Sequence, residues 1–443
     1  MLSGIFDRAL GKEIMVLRNF IRSGIRKSLT GQNGIALDNT VPVLEHRFEN
    51  IRELGLYLHI PFCDQICPYC PYNKELYRPD VAAAYADAVS KEIDAYAGIM
   101  GGIPVTSFYI GGGTPTTMLH SGLARILKHI FDKFNVKCSV HMESHPNHLN
   151  NDALEAAASM GVRYLSIGVE ALQDRHLRTL KRPYTVREVT AAVDRAVNRG
   201  FECVNADMIF ALPDQTCAEV EEAGRALVDL NLDQVSAYPL FIFPYTQMGK
   251  SDRADKRKRA GILRRKKMLG ILESVFYGAN FERTSSWAFT KKGIPKYCSV
   301  TVPLYVGLGA SGGTYLKDIF YLNTFSVGEY IDALNRGSSP IALSLNLSES
   351  MQMAGWLYWR IYETRFSKAA FNRRFGKDFD ATYGRLVKAL GLAGFLSESN
   401  GEIVLSDRGT FWLHAFEDLF SIDYVSKLWG DFKMEPWPEK IIL

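Results

Sequence analysis

LGLYLHIPFCDQICPYC, Leu54 to Cys70, is a short apolar run that opens into a loop carrying three cysteines. The run Leu54–Ile60 reads as a strand, and Cys63, Cys67 and Cys70 follow it directly. A structural zinc site takes four ligands and a disulfide takes two. Three thiols therefore imply either a remote fourth ligand or a metal with one coordination position open. A zinc site completed by His59 and a set of unrelated core thiols are the alternatives.

Downstream, short apolar, β-branched runs alternate with helical stretches, the signature of βαβ units on a parallel sheet. Further strands are expected at VTSFYI (105–110), CSVHME (138–143), VRYLSIGVE (162–170), CVNADMIFAL (203–212) and DQVSAYPL (233–240). Helices open at Pro79 and at the capping boxes Thr185-x-x-Glu188 and Thr216-x-x-Glu219. In such folds the functional surface forms at the carboxyl ends of the strands. Those ends carry the cysteine loop, the triple glycine Gly111–Gly113, Glu143, Glu170 and Asp207, which should converge. Carboxylates ending apolar strands are costly unless paired, hydrogen-bonded or used.

The chain has 443 residues, 47% hydrophobic and 23% charged, enough for one large α/β domain with extensions. A formal net charge of +4 is too small to argue for a nucleic-acid partner. Seven cysteines, spread widely apart from one cluster, do not make a secreted disulfide framework, and no secretory signal or bilayer-length apolar run is seen. A cytoplasmic location is expected. Within 1–50, Leu2, Ile5, Phe6, Leu10, Ile14, Leu17 and Ile21 recur at helical spacing, with Arg8, Lys12, Arg18 and Arg22 mostly elsewhere around the helix. Such a basic amphipathic helix packs over the domain or lies on an anionic membrane. The basic run SDRADKRKRAGILRRKK, from Ser251, lacks interleaved aromatic residues and reads as a solvated or capping helix face. LYVGLGASGGTY, Leu304 to Tyr315, is another strand-then-glycine element, and from about Ser348 the chain becomes helical with a hairpin near SESNGEIVLSDRG, a winged-helix-like layout.

CxxxCxxC after a strand, followed by YIGGGTPT (Tyr109 to Thr116), resembles the radical S-adenosylmethionine (SAM) superfamily. HIPFC with GGGTPT, and further YLSIGVEALQDRHLRTLKR, NADMIFALPDQT and YVGLGASG, is similar to its oxygen-independent coproporphyrinogen III oxidase branch over about Leu54 to Tyr315. The resemblance implies a partial (β/α)6-type barrel over 51–320 and a mostly helical accessory domain over 321–443. It implies a 4Fe-4S cluster on Cys63, Cys67 and Cys70 and SAM contacts from Tyr57, Tyr69, Gly112, Gly113, Thr114, Glu143, Glu170, Arg182 and Asp207. The branch can hold two SAM molecules. It also implies a reducing partner such as flavodoxin or ferredoxin and a planar, unsaturated substrate, tetrapyrrole favoured, which is decarboxylated oxidatively or methylated at sp2 carbon. Quinone or natural-product methylation and non-catalytic haem carriage are the other expectations.

Two departures stand out. Glu170 occupies a position where the family pattern has Gln, adding negative charge. The haem-binding, chaperone-like relatives carry His-Asn-x-x-Tyr-Trp before the GLG element, whereas this chain has KYCSVTVPLYVGLG, which argues against a haem chaperone. Cys298 within that stretch is either a substrate-side thiol or a plain buried cysteine.

Overall fold

The structure is a computed structural model that describes residues 27, 31, 34–252, 260–297 and 303–443. The basic N-terminal helix, the centre of the basic run after Ser251, and Cys298 lie outside the described residues.

Six strands form the barrel wall: β1 (Leu54–Ile60), β2 (Pro104–Gly112), β3 (Val140–Ser144), β4 (Val162–Glu170), β5 (Cys203–Phe210) and β6 (Gln234–Pro239). Each pairs in parallel with the next, in sequence order. The long connections between parallel strands are helices, Pro79–Met100 after β1, Leu123–Lys133 after β2, Asn151–Ser159 after β3, Val186–Val197 after β4 and Cys217–Asp229 after β5. Their ends are set locally. Both capping boxes form, and Asn150 caps its helix by accepting from the Ala153 amide at 2.8 Å.

Alternation along the strands separates two environments. Leu58, Phe108, Met142, Leu165, Ala206 and Ala237 are 0% exposed and face the helical layer. Burying each large apolar side chain contributes roughly 1.5–3 kcal/mol. The other face carries Tyr57, Tyr109, His141, Glu143, Ser166 and Asp207, so the barrel interior is polar and aromatic rather than a packed aliphatic core.

On the other side of β1, β7 (Tyr305–Leu308) adds in parallel, placing Gly307 opposite Tyr57. The sheet then turns antiparallel through β8 (Gly313–Tyr315), β9 (Ile319–Asn323) and β10 (Ile341–Asn346). It ends with Ala36–Asp38 and Lys440–Ile442, which pair with each other. The domain boundary expected at 320 therefore falls inside β9, because one hydrogen-bonded sheet carries on past it. The third strand also starts at Val140 rather than Cys138. Beyond β10, the helices Glu349–Tyr362, Lys368–Phe375 and Phe379–Leu392, a three-stranded antiparallel sheet and the long helix Asp407–Met434 build the helical domain. Its separate core centres on Trp356, Phe366, Phe371 and Phe379. No helix among the described residues is long and apolar enough to cross a membrane.

Candidate functional site

The cysteine loop is held from both sides. Tyr85 donates to the His59 carbonyl at 2.8 Å, fixing the end of β1. Across the loop, the Gly113 amide donates to the Ile60 carbonyl and the Thr114 amide to the Phe62 carbonyl, each at 2.7 Å. Thr114 Oγ1 reaches Cys63 Sγ at 3.4 Å. A Cβ on Gly113 would stand 2.8 Å from the Phe62 carbonyl oxygen, and one on Gly112, whose φ is +118°, 2.6 Å from the His59 ring. The glycines thus serve first to let one backbone lie on the other.

Cys63, Cys67 and Cys70 are free thiols on this loop. Burial pushes the Cys63 thiol up to about 12 and raises that of Cys70. Arg182 Nη1 approaches Cys67 Sγ at 3.2 Å. His59, the alternative fourth zinc ligand, is committed elsewhere: Nε2 pairs with the Asn73 carbonyl at 3.0 Å and Nδ1 with the Tyr57 hydroxyl at 2.8 Å. A carbonyl only accepts, so Nε2 carries the proton and Nδ1 accepts from Tyr57. Among the described residues no three His, Cys, Asp or Glu side chains are placed to hold a single metal ion. Three thiols without a fourth protein ligand suit a multi-iron cluster, whose irons take thiolate ligands individually.

Three carboxyls from adjacent strands lie beside the loop. Glu143 accepts from Tyr109 at 2.7 Å and from the Gly112 amide at 3.1 Å. Asp207 accepts from Ser166 at 2.8 Å and Asn205 at 3.0 Å, and Ser236 in turn holds Asn205. Glu170, at a left-handed φ of +65°, keeps Oε2 buried without a hydrogen-bond partner. Burial raises all three pKa values, that of Asp207 to about 7 with added repulsion from Glu170 and Glu143, while Arg182 pulls Glu170 back down. Arg182 also donates to the Gly168 carbonyl at 2.9 Å and to Tyr184 at 2.7 Å. Tyr69 sits within the electrostatic reach of Glu170 and Arg182. Three buried acids with one guanidinium among them form a site short of positive charge, and the stranded Glu170 oxygen asks for a donor. An ammonium would supply both charge and donor, ribose hydroxyls a donor, and a sulfonium charge alone.

The structure thus gathers Cys63, Cys67, Cys70, Tyr69, Gly112, Gly113, Thr114, Glu143, Glu170, Arg182 and Asp207 at the carboxyl end of the barrel, with Tyr57 lower on β1. Sequence reasoning missed the inner lining, Tyr109, His141, Ser166, Asn205 and Ser236. The signal was the alternation of polar and apolar residues in runs such as YIG, VHME and VNAD.

The model of the Radical SAM superfamily matches residues 57–227, and that of the HemN C-terminal domain matches 365–412. The chain is 25% identical over 366 residues to the heme chaperone HemW of Bacillus subtilis, covering 80% of this chain and 95% of that protein. It is 31% identical over 190 residues to the oxygen-independent coproporphyrinogen III oxidase of Escherichia coli, covering 42% of each. Among solved structures, the coproporphyrinogen III oxidase HemN from Escherichia coli superposes with a TM-score of 0.75 at 19% identity, over 89% of this chain and 94% of that one. The fold is therefore the HemN type of radical SAM barrel with a helical C-terminal domain.

Proposed function

We propose that this chain, which belongs to the radical SAM superfamily and so uses a 4Fe-4S cluster and S-adenosylmethionine, is an enzyme acting on a planar unsaturated substrate. A tetrapyrrole is favoured, with oxidative decarboxylation or methyl transfer to sp2 carbon as the reaction. The observation that carries this reading is the pairing of three free thiols on a clamped loop with a neighbouring, charge-deficient ring of buried carboxyls.

When bound, the cluster and SAM together supply a carbon-centred radical. The protein's part is to bind, orient and keep water out. Cys63, Cys67 and Cys70 would hold the cluster, with the Arg182 guanidinium placed at Cys67 Sγ. Glu143, Glu170 and Asp207 would accept from the ammonium and ribose hydroxyls of SAM. Glu143 is pre-oriented by Tyr109 and Gly112, and Asp207 by Ser166 and Asn205. A cytoplasmic setting and a small reducing protein as electron donor complete the proposal.

A second reading, non-catalytic haem carriage, is favoured by the long match to proteins named heme chaperones. The two differ in what becomes of SAM. Anaerobically reconstituted protein with a reductant should show iron–sulfur absorption and release 5′-deoxyadenosine, with S-adenosylhomocysteine as well if methyl transfer occurs. Cys67→Ala should lose both the absorption and at least 100-fold in product. Haem binding with neither product from intact SAM would establish the carrier reading instead.

A further inference from the structure

A cavity of about 300 Å³ lies between the barrel and the helical domain. On the barrel side its wall is aromatic. The rings of Tyr57 and Tyr109 stack at 6.2 Å and those of Tyr305 and Tyr315 at 6.4 Å. On the other side the helix Glu349–Tyr362 presents Trp356, Trp359 and Arg360, and the helix Lys368–Phe375 presents Arg374. Near the cysteine loop the cavity reaches His59, Tyr72 and Asn73, the last two just past Cys70.

The arginines are out of balance with their surroundings. Glu363 is shared by Arg360 at 2.6 Å and Lys296 at 3.4 Å, one acid for two cations. Arg360 Nε is buried with no hydrogen-bond partner. Arg374 has no ion pair among the described residues, and burial lowers its pKa. A guanidinium turned toward an aromatic cavity without an acid costs free energy, which an incoming carboxylate would offset by paired N–H···O bonds. Stacked aromatic walls select a flat ring beside it. At about 300 Å³ the space is at the lower limit for a whole ligand, so it grips one edge of a macrocycle.

We propose that Arg374 and Arg360 form an anion subsite that holds the carboxylate arm of a planar conjugated ligand, so that the helical domain sets which edge of the ring faces the cysteine loop. This rests on the reading above for the ring's fate but not for its binding. The test is a titration of the full chain with coproporphyrin III and, separately, with its tetramethyl ester, followed by tryptophan fluorescence. The acid should bind at least 10-fold more tightly than the ester. Arg374→Met should abolish that preference while leaving ester binding within 2-fold, and Arg374→Lys should restore part of it. Equal binding of acid and ester, or an acid preference that survives both Arg374→Met and Arg360→Met, overturns the proposal. Formation of 5′-deoxyadenosine, measured in parallel, separates the two ideas. SAM cleavage without an acid preference defeats the subsite alone, and an acid preference without SAM cleavage defeats the radical reading alone.

Discussion

Glu92, on the helix Pro79–Met100, is 2% exposed and has no cationic partner among the described residues. It instead accepts from the Gly309 amide at 2.8 Å, Asn323 Nδ2 at 2.7 Å and the Tyr330 hydroxyl at 2.5 Å. Tyr85, about two turns earlier on the same helix, accepts from the Ala310 amide at 3.0 Å while donating to the His59 carbonyl. One helix therefore ties the GLG turn to the end of β1 through two buried side chains. Glu92→Ala would leave the Gly309 amide and the Tyr330 hydroxyl without these acceptors, and Asn323 Nδ2 with the Gly309 carbonyl alone. The expected cost is about 3 kcal/mol, measured as a drop in the urea midpoint at unchanged m-value. A loss under 1 kcal/mol would mean that water replaces the carboxylate.

The element that decides the site is the glycine run against the cysteine loop. Because Gly113 has the Phe62 backbone where a Cβ would go, Gly113→Ala must push the two strands' extensions apart. The variant should fold, by far-ultraviolet circular dichroism, yet take up less than half the iron of the parent on reconstitution. Full iron uptake would show that the loop is not templated by this contact. Much at this scale was legible in the sequence. LGLYLHI and VRYLSIGVE have the strand limits read from them, and both capping boxes form, since these features are settled by neighbouring residues. The contact that demands glycine was not legible. The resemblance gave Gly112, Gly113 and Thr114 as SAM contacts, but the amides of Gly113 and Thr114 go to Ile60 and Phe62, a pairing between segments some fifty residues apart. Nor could the boundary at 320 be read, because the composition change near Ser348 marks where helices begin, whereas the sheet continues by long-range pairing through β9 and β10.

For the whole molecule, the buried acids make stability depend on pH. Asp207 has an unfolded value near 3.8 and a folded one of about 7, so its protonated form is favoured by the native state. That contribution is complete below the unfolded value and is lost as pH rises through about 7. Glu92, also raised to about 7 by burial, acts in the same sense. His59 and His141, both lowered to about 4, and His145 act in the opposite sense, and because half of each is still protonated in the unfolded chain at pH 6.5 their contribution extends into the same interval. Asp207 is therefore isolated by comparison with Asp207→Asn: between pH 6.5 and 8 the ligand-free parent should lose about 1 kcal/mol more than the variant in urea titrations. Parallel pH profiles for parent and variant would contradict the burial of this carboxyl. A cationic ligand should reverse the trend by holding the acids ionised.

The far edge of the sheet has a consequence for how the chain is made. The strand Ala36–Asp38 takes both its neighbours from far along the chain, Ser344 beside Asp38 on one side and Ile442 beside Ala36 on the other, so it must wait, unpaired, until at least Ile341–Asn346 has been made. Pairing over so great a contour length is slow to find. That strand is therefore bare on both sides while the six barrel strands are made, and it gains first one neighbour and then the other.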